Sequence, residues 1–362
     1  MSAHLCSTCL GIPLQHAEYI LVDLFSKSPS RTQCPHSNGR EGIILDSEIS
    51  LSIAESLLDC YQIDAFGKDL HTCLREDFRF FNDIPNRNMH RNIINSLFGS
   101  DGLETYRLKE ELNFKRMIEE FHDELKTSHR FFFDKHGRYS FIFDTLDLLI
   151  DNAKPSSTYF DFDSGTNHLY RARLGSQVDI DGSHTPFCID DMGAAPSQFC
   201  RGGRINPPGI SFLYLASSED TAALEIRATP ADFFTIVDVA LRNDPLLLDL
   251  RKASVSTLFG FRYFPHTQWI ANHLQKVSVF TYLSEILAQP VASEDPLGYI
   301  HTQIFCEYFK IKHVHGLIYD STLCSAGFNV CIFEPSEFSE LIGSPRLSRV
   351  SALSAEVQSL HV

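Results

Sequence analysis

Along the first 150 or so residues, apolar positions return mainly at helical spacing. Between 46 and 58, Ile49, Ile53 and Leu57 recur every fourth residue, which predicts an amphipathic helix with Ser47 as its N-cap. Between 102 and 126, Leu108, Leu112, Ile118, Phe121 and Leu125 recur mostly three or four apart with charges between them, and this predicts the clearest helix of the chain. Residues 141–150 predict another short helix, and few strands are expected before residue 150. Residues 151–157, DNAKPSS, are polar and rich in breakers and read as a linker.

Beyond that point the pattern changes to short apolar runs bounded by turn residues. Strands are predicted at 168–173, 211–216, 233–239, 246–250, 316–319 and 329–333. Helices are predicted at 219–226, capped by Ser217 or Ser218, and at 299–309. The reading is an α+β protein: a mainly helical region at 41–150, a linker at 151–165, a compact mixed α/β domain at 166–340 and a loosely ordered tail at 341–362. Residues 1–40 form a separate segment carrying Cys6-x-x-Cys9 and Cys34-Pro35-His36.

Composition narrows the functions available. The formal net charge of −15 disfavours general nucleic-acid binding and docking on anionic lipid, although it does not exclude a local basic pocket. The 10 cysteines are scattered through 362 residues, too sparse for a small secreted disulfide scaffold, and read as reduced thiols. The start, MSAHLCSTCLGIPLQH, has no basic stretch followed by an apolar one, so no signal peptide is expected and the location is read as cytoplasmic. The apolar runs are too short to span a bilayer, so no membrane partner is expected.

One block concentrates candidate chemistry. It runs Gly203-Arg204-Ile205-Asn206, then Pro207-Pro208-Gly209, then Ser211-Phe212-Leu213-Tyr214-Leu215-Ala216, then Thr221-Ala222-Ala223-Leu224-Glu225. Upstream stands Leu169-Tyr170-Arg171; downstream stand Tyr299-Ile300-His301-Thr302-Gln303, Glu307, Gly316-Leu317-Ile318-Tyr319-Asp320-Ser321 and Asn329 before an apolar strand. Taken singly, each has an ordinary explanation. An arginine at a strand end is usually a surface ion-pair partner, Glu225 would be a solvated helix face, Tyr214 a core residue and Ser321 a turn residue. In this order and spacing, over residues 169–333, they resemble the RES family.

That resemblance implies a compact α/β domain similar to the ADP-ribosyltransferase toxins, with NAD as substrate. The implied reaction is cleavage of the nicotinamide–ribose bond by hydrolysis, phosphorolysis or ADP-ribosyl transfer, in a toxin or defence effector. An antitoxin protein or a homo-oligomer is the implied partner. The residue types suit this chemistry. Arginine clamps phosphate through its planar fork, so Arg171 and Arg204 are candidates for the diphosphate. Glu225 would stabilise the positive charge that develops on the ribose. Tyr214 offers a flat ring and a hydroxyl, and Ser321 a loop hydroxyl. Asn206 and Asn329 complete the candidate NAD-binding set, while Arg173 and Arg227 read as structural. The competing function is a catalytically silent RES-like module whose helical region binds a partner.

Two weaker signals lie upstream. Cys6, Cys9, Cys34 and His36 are candidate zinc ligands, resembling in degraded form the cysteine-rich module of longer family members; Ser37 stands where a second Cys-x-x-Cys would need its cysteine. Residues 125–132 resemble the helical extension of HEPN/RES proteins. The spacings Arg116 to His122 and Arg130 to His136 superficially resemble HEPN ribonucleases, but Met117 and Phe131 stand where that motif carries a polar residue.

Overall fold

The computed structural model describes residues 6, 31–33, 41–44, 47–78, 87–98, 104–130, 137–160, 168–251, 267–288, 297–324 and 326–352. The chain divides into two compact units, Met1–Thr145 with Ala253–Tyr282, and Leu146–Lys252 with Leu283–Val362.

The first unit carries β1 (Arg31–Gln33), β2 (Glu41–Ile43), α1 (Ser47–Leu58), β3 (Tyr61–Asp69), α2 (Leu70–Phe78), α3 (Arg87–Phe98), β4 (Thr105–Leu108) and α4 (Phe114–Thr127). Helix α1 lies where the apolar spacing placed it. The helix expected from 102 begins only at Phe114. Asn113 caps it, its side chain accepting the Arg116 N–H at 3.3 Å, and Ile118, Phe121 and Leu125 form the buried face. The preceding Thr105–Leu108 is a strand instead, paired antiparallel with β3. Nor are strands rare in this part, since β3 alone runs for nine residues. Its alternation was hidden because most of its side chains are exposed or half-exposed.

The second unit is built on one mixed sheet. After α5 (Ser140–Ile150), its elements are β5 (Lys154–Pro155), β6 (Leu169–Leu174), a small hairpin of β7 (Gln177–Val178) and β8 (His184–Thr185), β9 (Leu213–Ala216), α6 (Glu219–Glu225), β10 (Phe233–Leu241) and β11 (Leu246–Asp249). There follow α7 (Thr267–Ala288), α8 (Ile300–Ile311), β12 (Gly316–Asp320), β13 (Phe328–Ile332), α9 (Pro335–Phe338) and β14 (Ser339–Arg349). Helices α5 and α7 are each divided between the units. The eight-stranded sheet has the order β14-β10-β6-β9-β13-β12-β11-β5, with β11–β12 its parallel pair. The protein is therefore α+β, as expected.

Both faces of this sheet are covered. One holds Leu169, Leu213, Leu215, Val237, Val239, Ile318, Val330 and Ile332. The other is a patch of small residues, Ala172, Ala216, Ala222 and Ala223 with Phe234 and Ile236, and these let α6 lie close on the strands.

Two boundary expectations change. The stretch at 151–157 is stitched to the sheet: β5 pairs with β11, and Ser156 and Ser157 hydrogen-bond Asp244. The stretch expected as a loose tail from 341 is strand through Arg349, paired along β10. Arg346 holds it there with a two-pronged pair to Asp238 at 2.8 and 3.0 Å, and reaches Glu219 in the first turn of α6 at 2.7 Å. Among the described residues, no helix is long and apolar enough to cross a membrane.

Candidate active site

Strands β6 and β9 share a single registered pair, Tyr170↔Ala216. Beyond it the strands part, and Arg171 ties them together across the gap by donating from Nη1 to the Tyr214 carbonyl at 3.2 Å. A cavity of about 200 Å³ opens beside this divergence. It is lined by Arg171 and Tyr170 from β6, Tyr214 from β9, Glu225 from α6, Tyr319 from β12 and Asn329 from β13.

Helix α6 delivers the carboxylate. Ser218 caps it by accepting the Thr221 N–H at 3.1 Å. The helix closes with Arg227 in the left-handed region, φ 55°, while Ala228 N–H reaches Ala223 and Arg227 N–H reaches Leu224. Glu225 therefore sits in a fixed last turn, at the end of the helix that is hostile to negative charge. Two donors hold it. Ser321 donates to Glu225 Oε1 at 2.7 Å and Asn329 Nδ2 donates to the same atom at 2.8 Å. Ser321 is fixed in turn, accepting the N–H groups of Leu323 and Cys324 at 3.2 Å. Oε2 has no hydrogen-bond partner among the described residues.

Arg171 is the complementary charge. It has no carboxylate partner among the described residues, and its buried Nε makes no hydrogen bond. Burial, and secondarily the neighbouring Arg173, pulls its pKa down from the ordinary arginine value. Arginine remains charged regardless, so the cavity is lined by a partly desolvated cation whose Nε is unpaired.

Tyr214 is positioned from behind. Its hydroxyl donates to Asn206 Oδ1 at 2.5 Å, and burial pushes the phenol well above its ordinary pKa, keeping it neutral. Asn206 is buried and donates to the Ile210 and Arg201 carbonyls, which fixes the 203–210 turn. Gln303 on α8 clamps the same turn at the Gly203 carbonyl, 2.9 Å away, and Thr302 does so at the Arg204 carbonyl. Gly203 is required there, since a Cβ would lie 2.8 Å from Asn206 Oδ1.

The structure thus brings together five of the candidate residues, Arg171, Tyr214, Glu225, Ser321 and Asn329. Asn206 supports Tyr214 from outside the cavity lining. Arg204 is also outside the lining, and one of its nitrogens donates to the Leu287 carbonyl at 3.0 Å. Arg173 lies over the Phe187 ring and bonds the Asp191 carbonyl. Tyr170 and Tyr319 line the cavity but were not singled out from the sequence; the available signal was their place within the Leu169-Tyr170-Arg171 and Tyr319-Asp320-Ser321 blocks.

The upstream candidates fare differently. Cys6 is buried and forms an isolated bridge with Ile44, while Cys9, Cys34 and His36 lie outside the described residues. Among the described residues no group of three or more His, Cys, Asp or Glu could hold a metal. Arg116 is occupied by ion pairs with Glu110 and Glu120, and His136 is outside the described residues.

Glycine at 327 allows α6 to approach this loop. A Cβ there would fall 2.1 Å from Thr221 Oγ1. Thr221 is fully buried and bonded to Ser218, so it has little room to yield. Gly327→Ala is expected to destabilise the fold by about 1–3 kcal/mol, measured by denaturant unfolding; an unchanged midpoint would contradict this close packing.

A mixed sheet whose strands β6 and β9 part near its centre, with an arginine that has no carboxylate partner among the described residues and an anchored carboxylate beside the gap, frames this domain's candidate site. Residues 169–349 match the RES domain family, and the chain belongs to that family. RES domains are linked to NAD and to toxin function, typically within toxin–antitoxin pairs. No curated protein matches the chain.

Proposed function

We propose that this chain cleaves the nicotinamide–ribose bond of NAD, by hydrolysis, phosphorolysis or ADP-ribosyl transfer, as a toxin or defence effector. The observation that carries the reading is the Glu225 carboxylate, with Oε1 fixed by Ser321 and Asn329 and Oε2 without a protein partner among the described residues. Such a group, already oriented before substrate arrives, stabilises charge that develops only in the transition state.

In this reading the nicotinamide riboside end enters the cavity, which is below the roughly 300–1,000 Å³ typical of pockets for drug-sized ligands. The diphosphate follows at the Arg171 side of the lining, and the adenosine half lies outside it. Arg171 has first claim on the diphosphate, since it lines the cavity without a carboxylate partner among the described residues. Arg204 is the second candidate, from the neighbouring turn. The C1′–N bond breaks, its electron pair leaves with neutral nicotinamide, and the ribose becomes cationic beside Glu225. The acceptor, whether water, phosphate or a protein side chain, then bonds to C1′. Zinc in the 1–40 segment and partner docking by the helical region remain proposals from the sequence alone.

The test is to incubate the purified chain with NAD and assay free nicotinamide. Release at a catalytic rate is expected. Tight NAD binding without release would favour the silent-module reading.

A further inference from the structure

Three tyrosines line the cavity, and their hydroxyls are not equivalent. That of Tyr214 is bonded to Asn206. Those of Tyr170 and Tyr319 make no hydrogen bond to any described residue. Tyr170 is half-exposed, within the electrostatic reach of Asp238, Glu219 and Arg346. Tyr319 is 4% exposed. It stands on β12 directly opposite Asn329, the residue that anchors Glu225.

A buried strand position of this kind favours phenylalanine, which the chain uses 29 times against 12 tyrosines. The hydroxyl placed there has no protein partner among the described residues and is not sealed from solvent, so a ligand in the cavity can reach it. Burial and the nearby Glu225 charge push its pKa well above the ordinary value, so it stays a neutral donor. Tyr319, with its free hydroxyl, and Glu225, with its free oxygen, line the same small cavity.

We propose that Tyr319 is a substrate-positioning residue whose hydroxyl hydrogen-bonds a ribose hydroxyl of the nicotinamide half, on the sugar that Glu225 faces. This rests on the function proposed above. The contact exists in the ground state and the transition state alike, so it contributes binding and not rate.

The experiment compares the full chain with Tyr319→Phe, which keeps the ring. KM for NAD is expected to rise roughly three- to ten-fold, the worth of one neutral hydrogen bond, with kcat within about two-fold and the melting temperature unchanged or higher. Free nicotinamide should inhibit both proteins equally, since it lacks ribose. An unchanged KM would overturn the proposal. So would a lower melting temperature with intact kinetics, which marks a structural hydroxyl, or weakened nicotinamide inhibition, which moves the contact to the carboxamide. If the wild type released no nicotinamide, the cleavage reading would fail separately. Calorimetric titration of NAD into both proteins would then decide the contact: weaker binding by Tyr319→Phe supports it, and equal binding or none in either overturns it.

Discussion

Glu225→Gln is expected to lower kcat for nicotinamide release roughly 100- to 1,000-fold, while NAD affinity stays nearly intact. The substitution preserves shape. A glutamine carbonyl in the place of Oε1 can still accept from Ser321 and Asn329, so the side chain keeps its anchors. What is lost is the negative charge beside the ribose. In ground-state NAD the positive charge sits on the nicotinamide ring, whereas in the transition state it moves onto the ribose beside Glu225, so the effect falls mainly on rate. Nicotinamide release at saturating NAD, with calorimetric binding alongside, separates the two quantities. Wild-type turnover in the mutant would remove Glu225 from the chemistry and return the domain to a binding role.

The strands and helix that frame this cavity were legible in the sequence because they are core elements. The runs Leu213–Ala216 and Phe328–Ile332 are largely buried, and an apolar run bounded by turns identifies them. A serine cap, Ser217 or Ser218 by sequence, marked the start of α6, and Ser218 is the one that caps it. Strand β14 was not legible for the converse reason. It is an edge strand, its residues are half-exposed or exposed, and SELIGSPRLSR carries no apolar alternation. Its place is fixed by Arg346 on Asp238, a long-range pair that no local pattern contains. The same holds within the site. Glu225, Ser321 and Asn329 were each named, but their convergence on one carboxylate oxygen joins residues about a hundred positions apart. Asn206 looked like a ligand contact from its motif, and only the fold assigns it to the turn and the Tyr214 hydroxyl.

Arg171→Met should separate folding from function, because the two have opposite requirements at this position. In the folded chain Arg171 is a half-buried cation with a buried Nε; among the described residues it has no carboxylate partner, and its hydrogen bond is a 3.2 Å donation to the Tyr214 carbonyl. Fully burying an ion costs several kcal/mol even after relaxation, and partial burial a share of that, against about 1.5–3 kcal/mol for a hydrogen bond from a charged group. Methionine fills similar space without the charge. The melting temperature is therefore expected to hold or rise by a few degrees, roughly 2–4 °C per kcal/mol in a domain of this size. NAD affinity should move the other way. Loss of a charge-assisted contact to the diphosphate weakens binding roughly ten- to hundred-fold. Thermal unfolding and NAD titration on one preparation test both directions together. If stability fell and affinity held, Arg171 would be a structural tie between β6 and β9, and the anion site would have to lie elsewhere.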